Sequence, residues 1–248
     1  SCRSNKASSV CCRPSRTLSA QDRGRVAFVS ERHAELGHAR IEELGRLRAS
    51  LYPSFDGQLF ASLLAEAEVR GRTRIGELSR GQRAIVCVGL ALAQRPELLL
   101  LDDPTLGLDP LARRRVMQAL LSATRSEAVT VLFASHELAD VERVADDVLL
   151  LSRGRGSLAI PLEDFVADAC VVPLPSATDR SALAEIEGVL WVWPRRNGLE
   201  VVVRGSERER HATVAALARV ADADLQAPRA VSFEELALAW LAADRGIS

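Results

Sequence analysis

Two adjacent carboxylates, Asp102 and Asp103, end the run Leu98-Leu99-Leu100-Leu101 and are followed by Pro104. At the carboxyl end of a buried strand they stand where ligands of open α/β sheets bind, so one can hold a metal while the other takes a proton. Neighbouring side chains on a strand point to opposite faces. Both carboxylates can therefore address one ligand only if the chain turns at Asp103, which Pro104 encourages. Upstream lies Leu78-Ser79-Arg80-Gly81-Gln82. Ser79 with Gln82 three residues later is a capping box, so a helix starts here with its first N–H groups and positive dipole end beside a glycine. Such a start accepts phosphate, although an ordinary cap has the same sequence. Downstream, Leu106-Gly107-Leu108-Asp109-Pro110 reads as a turn and a helix start, and Ser135-His136-Glu137 closes a further strand. A lone histidine after a strand is more often structural than catalytic, but this one follows the same sheet edge as the carboxylates.

The elements that position these groups alternate. A strand at 26–29 precedes helices at about 39–51 and 57–69, the second with Leu59, Phe60, Leu63 and Leu64 at helical spacing. A helix over 78–94, stopped by Pro96, leads to the strand 98–101, whose unbroken apolar character predicts burial on both faces of a parallel sheet. Helix 110–125, strand 129–134, helix 137–145 and strand 148–151, ending at Gly154, continue the pattern of an α/β doubly wound layer. After Gly156 the texture shifts. Pro161, Pro173 and Pro175 break the chain before a helix at 180–187, and strands 189–193 and 199–203 are joined through Asn197-Gly198, a hairpin signal. Helices at 207–220 and 233–243 complete a small α+β domain. The expected division is thus a segment 1–23, a domain 24–156 and a C-terminal domain 157–248. Trp191 and Trp193 share one side of their strand and are expected in its core; Glu207-Arg208-Glu209-Arg210 reads as a solvated helix face.

Among 248 residues, 32 Lys and Arg balance 33 Asp and Glu for a net charge of −1, so no whole-molecule field draws in nucleic acid and none is expected as a partner. The longest apolar run, Ala84–Ala93, is about half of a spanning helix, so a membrane role must come through a partner. Five cysteines, an odd number without a C-x-x-C pair, fit a reducing cytoplasm. Three of them, Cys2, Cys11 and Cys12, lie in the segment before Gly24, which has no apolar stretch suited to a secretory signal and reads as unstructured or foreign to the fold.

In order and spacing these motifs resemble the ATP-binding cassette (ABC) family of transporter ATPases. Leu78–Gln82 is similar to its signature motif, Leu98–Asp103 to the Walker B strand, Leu106–Asp109 to the D-loop and His136 to the switch histidine. The resemblance covers about 24–156; Tyr52-Pro53-Ser54-Phe55-Asp56 resembles a bacterial exporter subgroup more weakly, and Val231–Leu236 resembles the final helix of many exporter cassettes. It implies a P-loop NTPase fold and an exporter's ATPase subunit, cytoplasmic and peripheral at the inner face of the membrane. The implied partners are membrane-spanning subunits and a second ABC subunit, the same chain or a different one. Two cassettes of this family sandwich two ATP molecules, the signature of one facing the γ-phosphate held by the other. By position, Asp102 would hold Mg²⁺ through water, with Glu31 at the place of the Q-loop glutamine as a second metal contact. Asp103 would polarise the attacking water where the family usually has Glu, and His136 would touch the γ-phosphate. Ser79, Arg80, Gly81, Gln82 and Asp109 would contact ATP across the dimer.

A complete cassette also carries G-x-x-x-x-G-K-[ST], whose backbone N–H groups and lysine cradle phosphates. The sequence has one lysine, Lys6, and no glycine pair ahead of it. Two explanations stand: a truncated or misread amino terminus, which the composition of 1–23 favours, or a degenerate cassette that lends its signature half to a competent partner. Either implies an incomplete P-loop domain, inactive alone. The runner-up from another class is a cytoplasmic ABC protein working on DNA or ribosomes, but such proteins usually carry a coiled-coil insertion or paired cassettes.

Overall fold

The computed structural model describes residues 24–31, 37–126, 129–156 and 159–245. The segment 1–23 lies outside them. Two compact units, 1–134 and 135–248, divide the chain, and Gly156 falls within the second.

The first unit is built on a parallel sheet, β1 (Val26–Val29), β2 (Leu98–Asp102) and β3 (Thr130–Ala134), with β2 central. Its helices are α1 (Ile41–Leu51), α2 (Gly57–Glu66), α3 (Arg80–Ala93) and α4 (Pro110–Ser126). Strand and helix take turns as the sequence pattern predicts. Ala27, Val29, Leu99 and Leu101 form the buried sheet face, and α3 packs on β1. From Ala84 to Ala93 every residue of α3 is buried, because α2 and α4 also pack against it. Gly89 of α3 faces Leu63 and Phe60 of α2, where a methyl group would lie at ordinary contact distance, 3.5 Å from each. The other sheet face departs from expectation. Phe28 and Leu132, in register on either side of half-buried Leu100, are each 60% exposed, so the apolar strand β2 is buried on one face only.

Helix ends in this unit are closed by their own sequence. Asp56 caps α2 by accepting the Leu59 N–H at 2.8 Å, and it also pairs with Arg95. The Leu59 N–H and the Arg95 guanidinium together hold its carboxyl below the ordinary range.

The second unit begins with α5 (Leu138–Val144), β4 (Asp147–Val148), β5 (Leu151–Ser152), β6 (Arg155–Gly156) and β7 (Ile160–Pro161). The single strand expected at 148–151 is therefore two short pieces in separate two-stranded ladders. Arg153 and Gly154, at φ +50° and +72°, turn the chain back so that β5 pairs with β6. Then come α6 (Leu162–Ala167), β8 (Ala169–Leu174), α7 (Arg180–Ala184), β9 (Val189–Arg195), β10 (Gly198–Arg204), α8 (Glu207–Ala221), β11 (Arg229–Ala230) and α9 (Phe233–Arg245). The antiparallel order β11-β8-β10-β9 with helices after β8 and β10 is a ferredoxin-like, split βαβ arrangement. Valines 201 and 203 face α7 and α8 through Leu183 and Leu217, while Val202 faces the α6 and α9 residues Phe165, Phe233 and Leu236. Both sheet faces are thus covered.

Strand β8 runs through Pro173, which the sequence reads as a break. The proline is tolerated because β11 reaches only Cys170 and Val171, leaving Pro173 on an open edge. The β9–β10 turn is Arg196-Asn197, one residue earlier than Asn197-Gly198. Gly198 belongs to β10, with φ +155° and the Leu174 carbonyl oxygen 2.2 Å from where a Cβ would sit. Trp191 and Trp193 pack edge to face, 5.8 Å apart, against the core that contains Phe233. Glu207, Arg208 and Glu209 are exposed, but Arg210 donates to the carbonyls of Ala167 and Gly205.

Candidate functional site

The start of α3 is a reciprocal cap. The Gln82 N–H donates to Ser79 Oγ at 3.2 Å and the Ser79 N–H donates to Gln82 Oε1 at 3.1 Å. Both side chains are engaged locally, which leaves the backbone N–H groups of Arg80 and Gly81 as donors without a helical partner. Gly81 itself lies against α4, where a methyl group would come within 2.5 Å of Ala112 Cβ and 3.9 Å of Asp109 Oδ2. Asp109 caps α4 in turn, its Oδ1 accepting from the N–H groups of Leu111 at 3.0 Å and Ala112 at 2.9 Å, with Pro110 as first helical residue.

Between β2 and α4 the chain makes two tight turns. Leu106 N–H donates to the Asp103 carbonyl at 3.1 Å and Leu108 N–H to the Thr105 carbonyl at 3.2 Å. Gly107, at φ +66°, lies under the Arg80 guanidinium: a methyl group there would be 2.4 Å from Nη1 and 2.8 Å from Cζ. Leu78–Gln82 and Leu106–Asp109 are therefore neighbours within one unit.

Asp102 closes β2 in register with Ala134, and its side chain is exposed. Asp103 donates its N–H to the Ala134 carbonyl at 2.9 Å and has φ +43°, so the chain turns at this residue. Glu31, exposed, lies two residues past β1; Val29 is in register with Leu101, so Glu31 leaves by the same carboxyl edge as Asp102. No group of three His, Cys, Asp or Glu side chains gathers as a metal cage among the described residues. Exposed Asp102 and Glu31 suit the other pattern, in which Mg²⁺ keeps its waters and rests on one or two carboxylates plus substrate phosphates. His136 opens the second unit, exposed, with Nε2 3.9 Å from Glu137 Oε1.

Sequence reasoning puts Gly107 in a turn but misses its contact with Arg80, and it misses Ala112 and Gln94 altogether. Gln94, 1% exposed, donates Nε2 to the carbonyls of Gly24 and Val26 at 3.0 and 3.1 Å and accepts from Arg48 at 3.5 Å, tying the end of α3 to β1 and α1. The only local sign of it is a glutamine between an apolar helix and Pro96.

Parts of the chain are similar to known proteins. Residues 13–139, half of the chain, match the family profile described as "AAA domain, putative AbiEii toxin, Type IV TA system". The molybdenum import ATP-binding protein ModC of Rhodobacter capsulatus is 31% identical over 177 residues, 71% of this chain and 48% of that protein. ModC of Salmonella choleraesuis (strain SC-B67) is 31% identical over 165 residues, 65% of this chain and 46% of that one. The chain spans about half the length of these two relatives. A solved ATP binding subunit of an ABC transporter superposes with a TM-score of 0.53 at 26% identity, covering 60% of this chain and 63% of that one. With its parallel α/β sheet of P-loop NTPase type, the chain belongs to the AAA-type domains of that profile, and it is similar to the nucleotide-binding domains of ABC transporter ATP-binding proteins.

Proposed function

We propose that the chain serves as the signature-bearing partner in a pair of ABC cassettes that bind ATP with Mg²⁺ and energise transport through separate membrane-spanning subunits. The observation that carries this reading is the adjacency of the α3 start to the Leu106–Asp109 loop, into which Asp102 and Asp103 lead directly. Free N–H groups of Arg80 and Gly81 at a helix start are suited to a phosphate presented by the other cassette. Asp102, with Glu31 beside it along the sheet edge, would hold Mg²⁺, which when bound neutralises phosphate charge. Asp103 would orient the attacking water. Its carboxylate reaches one methylene less far than the family's Glu, and a displacement of about 1 Å can cost on the order of a hundredfold in rate. His136 would contact the γ-phosphate. No described helix is long and apolar enough to cross a membrane, which agrees with a subunit that works at the cytoplasmic face through its partners.

The sequence holds no G-x-x-x-x-G-K-[ST] loop. That loop supplies most of the charge-neutralising contacts to the phosphates, so this chain alone should hydrolyse ATP at background rates. Mixing it with a full-length cassette should restore Mg²⁺-dependent turnover, and Ser79→Arg, which fills the helix start, should abolish the restoration. Robust hydrolysis by the chain alone, unaffected by Asp103→Asn, would place the active site elsewhere. A second reading concerns direction. Resemblance in the exporter-like segments points outward, whereas the relatives are named for molybdenum import, which favours uptake. Substrate-stimulated turnover in vesicles with reconstituted membrane subunits would decide between them.

A further inference from the structure

We propose that the side chain of Arg80 is a positioning group for the Leu106–Asp109 loop, holding it from the first turn of α3 within the same chain, and is not itself a phosphate ligand. The loop is secured from below by Thr105 and Leu108, which are buried at 0% and 8% exposure, and along its length by the two turn hydrogen bonds at Leu106 and Leu108. Its crown is Gly107. The guanidinium of Arg80 covers that crown so closely that a methyl group would lie 2.4, 2.8 and 3.2 Å from Nη1, Cζ and Nη2. A planar guanidinium can lie flat against a backbone in this way, whereas an ammonium cannot. One residue on, Gly81 meets Ala112 with no room for a Cβ, which fixes the height of the α3 start above α4. Arg80 and Gly81 thus grip the loop and the helix that follows it from two sides. The signature start and the loop then move as one surface.

Two arms of the test need no nucleotide. In the full chain, Arg80→Ala should raise hydrogen exchange at the Leu106 and Leu108 amides about fivefold, the effect of losing one modest contact, while β2 amides stay unchanged. Unchanged exchange at Leu106 and Leu108 overturns the proposal. In a double-mutant cycle, Gly107→Ala should destabilise the chain less when residue 80 is alanine, because with Arg80 present its guanidinium must swing off the new methyl group and lose its contact with the loop, whereas without it only the φ strain is added. Strictly additive losses overturn it equally. The third arm rests on the cassette-pair reading. With a full-length cassette, Arg80→Ala should lower kcat and leave KM for MgATP unchanged; a raised KM with unchanged kcat would mean that Arg80 binds phosphate directly. If the wild-type mixture itself shows no turnover, the cassette-pair reading fails while the first two arms still decide the role of Arg80.

Discussion

Ser79 Oγ and Gln82 Oε1 each accept from the other residue's backbone N–H, which closes the α3 start and leaves the N–H groups of Arg80 and Gly81 for a ligand. This part was legible, because a capping box is a local pattern of residue types. A turn at Asp103 was legible through Pro104, whereas its left-handed backbone, φ +43°, appears only in the structure. Lengthening the carboxylate by Asp103→Glu should raise turnover in the presence of a full-length cassette by on the order of tenfold or more, as measured by phosphate release. A second residue-scale expectation lies in the other unit. Hydrogen bonds from Arg229, with further help from the Ser232 N–H, bring the Glu235 carboxyl from its ordinary 4.5 to about 2. A lowered pKa stabilises the folded state at pH values above about 4.5 and loses that contribution as pH falls towards 2. Thermal melts should therefore show a decline in stability across this window that Glu235→Gln reduces, at a cost of about 1–2 kcal/mol near neutrality. What no single residue reveals is a contact made at a distance along the chain: Gly107 is plain in sequence, and only the approach of Arg80 gives it a task.

Helices and strands of the first unit follow hydrophobic period closely enough that their bounds shift by only a few residues. The period fails where long-range pairing decides. Val148–Leu151 has the composition of one strand, yet the left-handed pair Arg153-Gly154 folds its second half into a hairpin. Strand β8 was hidden by Pro173, since a proline is a break in an interior strand and harmless on an edge, and only the sheet order tells which applies. The α3–α4 contact belongs to this scale as well. Gly81→Ala should push the helices apart and cost about 1–3 kcal/mol by overpacking, measured by chemical denaturation. Ala112→Gly in the same chain should return most of that loss beyond its own helix-propensity penalty, because the conflicting atom is the Ala112 Cβ at 2.5 Å. Equal sensitivity of the single and double variants would show that Gly81 is needed for conformational reasons of its own.

Across the whole molecule, the sequence indicated an α/β unit followed by an α+β unit and the family of the first, because four motifs stood in order. It did not indicate the ferredoxin-like topology of the second, whose order β11-β8-β10-β9 depends on which strands meet and not on what each contains. Near-zero net charge, with 32 basic and 33 acidic residues, gives the chain little mutual repulsion to keep copies apart. Phe28, Leu100 and Leu132 give it a reason to need that repulsion, since two of the three are 60% exposed in a row across the sheet. Water must wet this stripe, and sulfate, by its exclusion from protein surfaces, raises the penalty for doing so. The protein should accordingly salt out at modest ammonium sulfate concentrations and enhance the fluorescence of the dye ANS. Replacing Phe28 by Ser and Leu132 by Thr should dim the dye and move precipitation to higher salt.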